Sequence, residues 1–365
     1  MKSEVRQPWI HSATIDGAFI LAPGFVATAA SLALIEAGHG GAGLSLWMWG
    51  ILIVGIDVAH VYSTLYRTYL DPVDRSNLSG WLILTPLAGW ALGVLLYSWS
   101  AAAFWTLLAY IAVFHFVRQQ YGFLMLYSRR ERAFPKWCSA IDQIAIYAAT
   151  LGPLVYWHTH LPRRFVWFID GDFLKLPDWV WRAAWPVYAL ILAAYLLKEC
   201  WLVGRQGRIN VPRNVVVIGT AASWCVGIIV ATGDLVFTMT NVVAHGIPYM
   251  ALTFIYARGE ERRREPRARP ILRWLPLAIG LLVLLAFLEE GLWDGLVWRE
   301  HLAMFPGFAH LPAIDTDAML AVIVPLLAVP QLTHYVIDGV IWRLKAHPEW
   351  RRTLFWHGEP AAGGS

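Results

Sequence analysis

At 365 residues, with 58% hydrophobic and 15% charged, the chain is too apolar for a soluble protein, whose usual shares are roughly 45–50% and 25%. That balance excludes a soluble enzyme, a disulfide-stapled secreted domain and a nucleic-acid binder, and its 21 tryptophans are of the kind that collect where lipid meets headgroup. The net charge of +4 is read as Lys and Arg gathered in cytoplasmic loops.

About 20 apolar residues cross a bilayer as a helix. Stretches that meet this length lie near 15–36, 44–67, 81–99, 101–127, 137–158, 179–203, 214–233, 235–257, 270–292 and 316–341. The expectation is an all-α, polytopic helical transmembrane bundle with these ten spans. The first reads as an anchor, because its apolar run exceeds a signal-peptide core. One integral membrane domain is expected over 1–357 and a disordered tail over 358–365. The segment 159–178, broken by Pro162, Gly171 and Pro177, reads as an outer loop,.

Orientation follows from the basic residues. Arg163, Arg164, Lys175, Arg182 and Arg299 fall on one side and Arg118 inside a span; the rest of the 29 Lys and Arg fall on the other side with both ends of the chain. That asymmetry predicts both termini in the cytoplasm and a multi-pass protein of the cell's inner membrane. The densest run, RGEERRREPRAR over 258–269, reads as a solvated cytoplasmic loop.

Ionisable residues within spans are costly and face protein or water. Here they are Asp57 and His60 in the second span, His115 and Arg118 in the fourth, Asp142 in the fifth, His245 in the eighth, and His334 and Asp338 in the tenth. At about 1.5 Å of rise per residue, the four histidines occupy one slab between the midplane and the cytoplasmic third. Each has a polar neighbour one turn away on its own face: Asp57 for His60, Gln119 for His115, Asn241 for His245 and Asp338 for His334,. Longer polar stripes run through Asp57, His60, Thr64 and Arg67, and through Thr238, Asn241, His245 and Tyr249. Pro248 and Pro330 predict kinks beside two of the histidines.

A metal-bound imidazole needs its second nitrogen held by a carboxylate, amide or carbonyl, so the pattern predicts a metal held by His60, His115, His245 and His334. Asp57, Arg118, Asp142 and Asp338 are candidate catalytic residues, and Gln119, Asn241 and Tyr249 candidate supports of the ligands. Arg118 is also a candidate partner for Asp142 or Asp57. Imidazole suits iron, zinc and copper alike. Non-haem iron is the favoured choice, because a substrate reaching a membrane slab is a hydrophobic small molecule or lipid arriving from the bilayer. The expected activity is that of an oxygenase or hydroxylase, with an electron-donor protein as a candidate partner.

His60 behind its polar motif, then Phe114-His115-Phe116, then later-span histidines resemble the Brp/Blh family of integral membrane β-carotene dioxygenases. The resemblance lies in layout: His115-Phe116-Val117-Arg118-Gln119 stands where that family has an H-F-G-x-x-D-like stretch, and the late histidines occupy separate spans. It implies a four-histidine iron and an isoprenoid substrate. Two other readings use the same residues: a membrane haem b protein with paired axial histidines, and a proton-coupled transporter titrating the Asp and His groups. His158 and His160 form an outer H-x-H, a weaker candidate for a second metal site.

Overall fold

The computed structural model describes residues 7–129, 131, 134–263, 272, 274–343 and 354–355. The expected tail over 358–365 and the second half of the basic run over 258–269 lie outside them. Among the described residues there is no strand. Nine helices are long and apolar enough to cross a membrane, and a bent pair makes a tenth span. They are α1 (Ala13–Glu36), α2 (Leu46–Arg67), α3 (Ser79–Trp99), α4 (Ala101–Tyr127), α5 (Lys136–Thr159), α6 (Asp178–Arg205), α7 (Val211–Val230), α8 (Asp234–Glu260), α9 (Leu275–Trp298) and the two halves of α10, Asp317–Leu327 and Val329–Ile341.

The helices start where the chain supplies acceptors for orphan N–H groups. Ser12, Ser45, Ser100 and Asn210 each accept a backbone N–H of the first turn they precede. Two spans shift against their expected bounds. α7 begins at Val211, because Asn210 caps it and Pro212 fits its first turn, and it stops before Gly233,. α9 begins at Leu275, with Pro276 in its first turn, and a π-helical turn over Asp294–Trp298 carries it past the expected end.

The prolines act differently from one another. α8 continues as one helix through Pro248. α10 breaks at Ala328 with a bend of 41°, and Pro330 sits in the first turn of its second half, where its missing N–H has no partner to lose. The helix carrying His334 is therefore re-aimed, while the one carrying His245 stays continuous.

α8 is the centre of the bundle, with 67% of its most apolar window buried against 17% for the peripheral α3. It packs on α1, α2 and α7, while α2 also touches α9 and the second half of α10, which reaches α4. Two glycines let the backbones approach. A Cβ on Gly246 of α8 would meet Ile56 Cγ2 of α2 at 2.8 Å and the Ile56 carbonyl oxygen at 3.1 Å. One on Gly227 of α7 would meet Thr240 and Asn241 of α8 closer than real Cβ contacts allow.

The first described residues and Phe355 meet at one end of the bundle. Gln7 donates to the Ile209 carbonyl at 2.8 Å, Arg129 donates to the Pro8 and Trp9 carbonyls, and its guanidinium lies over the Phe355 ring at 3.9 Å. At the opposite end Arg164 holds the Gly41 carbonyl of the α1–α2 loop at 3.1 Å.

Candidate metal centre

α2 is irregular where it carries its polar residues. A π-helical stretch over Gly50–Val58 contains Asp57, a short α-helical piece follows with His60, and a 3₁₀ turn over Thr64–Arg67 ends it. Such changes of pitch are concentrated at functional sites. Here they place His60 against α8, opposite Gly246.

His60, His115, His245 and His334 are all buried, and each offers one ring nitrogen such that all four lie within 4.8 Å of one another. The Nε2 atoms of His60 and His245 are 3.1 Å apart. Ring centroids are 4.5 Å apart for His115 and His334, 4.7 Å for His60 and His245, and 5.0 Å for His115 and His245. Four helices distant in sequence thus deliver imidazoles to one point, as their matched depth predicts.

The supports differ in part from the expected pairs. His334 Nδ1 bonds to the Thr64 hydroxyl at 2.8 Å, that hydroxyl is 2.9 Å from the Tyr249 hydroxyl, and Tyr249 donates to Asp338. The consistent proton assignment runs one way: His334 Nδ1–H to Thr64, Thr64 to Tyr249, Tyr249 to the carboxylate. It leaves the lone pair on His334 Nε2. Asp338 is 3.8 Å from Nδ1 of both His334 and His115, beyond hydrogen-bond length, so it reaches His334 through two hydroxyls. Thr64 was visible in the sequence only as one member of the His60 stripe.

Gln119 does not hold His115; it donates to the backbone carbonyl of His245 at 2.8 Å. Asn241 does not hold His245 either, since its amide bonds to the Phe237 carbonyl and the Thr240 hydroxyl. The His245 ring is fixed by stacking on Phe116, with centroids 3.7 Å apart and planes 6° from parallel. Asp57 lies 3.8 Å from His60 Nδ1 with its side chain one-third exposed.

Two candidate catalytic residues are engaged elsewhere. Asp142 belongs to a buried ion cluster where α5, α6 and α7 meet at one end of the bundle. It pairs with Lys198 and, at 3.3 Å, with Arg213; Glu199 and Glu131 complete the set around Arg213. A carboxylate with two cations beside it has its charge balanced there. Arg118 is exposed, donates to the Tyr147 hydroxyl and lies over the Tyr121 ring at 4.7 Å; its expected pairing with Asp142 or Asp57 does not form.

The outer H-x-H forms no cluster. His158 bonds Tyr110 at 2.8 Å and the Leu154 carbonyl at 2.6 Å, and His160 Nδ1 lies 2.9 Å from the Tyr156 carbonyl. Sequence reasoning also passed over Glu289 and Glu290 of α9, the first buried and the second half-buried. Two adjacent acids inside an apolar span were the available signal.

His60 Nδ1, His115 Nε2, His245 Nδ1 and His334 Nε2 are buried without a hydrogen-bond partner. An unmet buried polar group costs about 1–3 kcal/mol, so an orphaned nitrogen on each of four neighbouring rings is a demanding arrangement for histidines that serve packing alone. On His60 and His245 that nitrogen is Nδ1, while their Nε2 atoms face each other. No protein-family model matches the chain, and neither the curated proteins nor the solved structures contain a match to it.

Proposed function

We propose that the chain is a metal-dependent integral membrane oxygenase or hydroxylase, with a non-haem iron held by His60, His115, His245 and His334, acting on a hydrophobic lipid or isoprenoid substrate. The observation that carries this reading is the convergence of four buried imidazole nitrogens within 4.8 Å. Two nitrogens bound at about 2.1 Å on opposite sides of an ion lie about 4.2 Å apart, and neighbours at a right angle about 3.0 Å. The 3.1 Å between His60 and His245 suits neighbouring ligands, and the widest pair needs about half an ångström of contraction. A bound iron would supply oxygen activation; the chain supplies four buried imidazoles in an apolar helical surround,.

The donor set favours one ion over two. Among the described residues no second group of three or more His, Cys, Asp or Glu converges in this way. A haem reading fits poorly, because axial histidines must stand on opposite faces of a macrocycle and these four meet at one point. The relay from His334 to Asp338 acts on ring orientation, as supports of metal-binding histidines do.

The test is elemental analysis of protein purified in detergent. The expected outcome is about one iron per chain, as one four-histidine group implies, with each of His60→Ala, His115→Ala, His245→Ala and His334→Ala losing most of it while still inserting. Full metal content in all four variants sinks the reading.

A further inference from the structure

We propose that Tyr335, Trp105, Trp293 and Trp298 form an electron path between the histidine centre and the end of the bundle opposite Gln7 and Phe355. The inference rests on the metal reading above. Tyr335 follows His334 in α10, and its ring lies 4.9 Å from that of His115 and 5.6 Å from that of His334. It packs against a buried cluster that includes Trp105 of α4 and Trp293 of α9. Beyond it, Trp105 and Trp293 are 6.0 Å apart, Trp293 and Trp298 5.9 Å with planes 19° from parallel, and Trp105 and Trp298 5.5 Å.

Indole and phenol are the side-chain rings most readily oxidised by one electron, and short ring-to-ring gaps let a charge hop where one long gap would not. The placement of these tryptophans sets them apart from an interfacial belt. Trp47 and Trp99, at span ends, are 78% and 79% exposed, as belt residues facing headgroups are. Trp105 and Trp293 are each 5% exposed, and Trp298 opens the chain to the surface at 37%. Trp105 and Trp293 are buried and Trp298 is the exposed ring of the three tryptophans, with Tyr335 packed on their cluster from the histidine side. Electrons enter at Trp298 and reach the rings beside His115; an oxidising equivalent left without substrate leaves by the same rings before it attacks the ligands.

The test uses iron-loaded protein in detergent, cleared of free metal, and a limited dose of hydrogen peroxide as oxidant. Each peroxide takes two electrons and two protons to give two waters. A bound ferrous iron would supply one of these electrons, and the ring chain the other. The hole comes to rest on Trp298, whose indole proton passes to water, and added ascorbate returns the electron. Freeze-quenched samples are read by electron paramagnetic resonance for a tryptophan radical, and peptides by mass spectrometry for oxygen added to each tryptophan.

The expected result is a tryptophan radical and preferential oxidation of Trp298 over the more exposed Trp99, quenched by ascorbate. Trp293→Phe and Tyr335→Phe, with iron content unchanged, should each lower Trp298 oxidation several-fold and move damage toward the histidine peptides. Iron-free His60→Ala sets the background. Oxidation that follows exposure and is indifferent to both substitutions overturns the path while leaving the metal reading intact. A wild-type protein that binds no iron overturns both.

Discussion

Thr64 shows how much a single hydroxyl decides. It joins His334 to Tyr249 and so to Asp338, holding one tautomer of a ring that no carboxylate touches directly. Thr64→Val keeps the shape and removes the link, so iron affinity should fall by about 10–100-fold, the usual cost of losing a ligand's support. A metal titration reads it; unchanged affinity would mean the relay does not orient His334. Thr64→Ser should retain most of the affinity. The four histidines themselves were legible in the sequence because an ionisable residue in an apolar span must face protein or water. Which polar neighbour holds which ring was not legible, because a residue one turn away on the same helix competes with partners from three other helices. Gln119 and Asn241 took backbone and hydroxyl partners, and the support of His334 came from α2.

Among the elements, α2 and α8 carry the site through an approach only a glycine permits. The Gly246 Cα faces Ile56 and the His60 Cβ, the last 3.6 Å from an added Cβ. Gly246→Ala must push α2 back at a backbone atom, which has little freedom to yield. The expected effect is loss of bound iron with all four ligands present, together with about 1–3 kcal/mol of destabilisation. Thermal unfolding in detergent, run beside the iron assay, checks both; a variant that binds iron normally removes Gly246 from the account. The span bounds were readable from apolar runs to within a few residues, and capping residues explain the shifts in α7 and α9. The two prolines were not equally readable. Pro330 begins a new helical piece after a 41° bend and Pro248 leaves α8 continuous, because tertiary packing decides whether a helix bends where its backbone bond is lost.

At the scale of the whole molecule, the end of the bundle that holds Gln7 and Phe355 is tied together by the Asp142, Lys198, Glu199, Arg213 and Glu131 cluster. Three acids face two bases, and burial raises the Glu131 carboxyl even against the pull of Arg213. Arg213→Met would leave the acids with Lys198 alone. Breaking a buried ion set from one side costs about 3–5 kcal/mol, so this variant should unfold at markedly lower temperature with its iron site otherwise intact. An unshifted transition would show that the cluster contributes nothing. Orientation is open to a separate check: with Gln7 and Phe355 at one end of the bundle and both termini expected in the cytoplasm, cysteines introduced at Ser3 and Ser365 should be labelled only from that side. Labelling from the other face would reverse every span.

Composition and the apolar runs alone determined a helical membrane protein, the direction expected for each span and a common depth for four histidines, because desolvation of charge and backbone acts along one axis, the membrane normal. Position around that axis belongs to packing. Only the tertiary structure decided that the four rings converge, that Asp142 and Arg118 lie elsewhere, and that Thr64 and Phe116 hold the His334 and His245 rings that Asp338 and Asn241 were expected to hold. The lateral order of the helices and the rotation of each depend on contacts between residues far apart in the chain, which spacing within one helix does not contain.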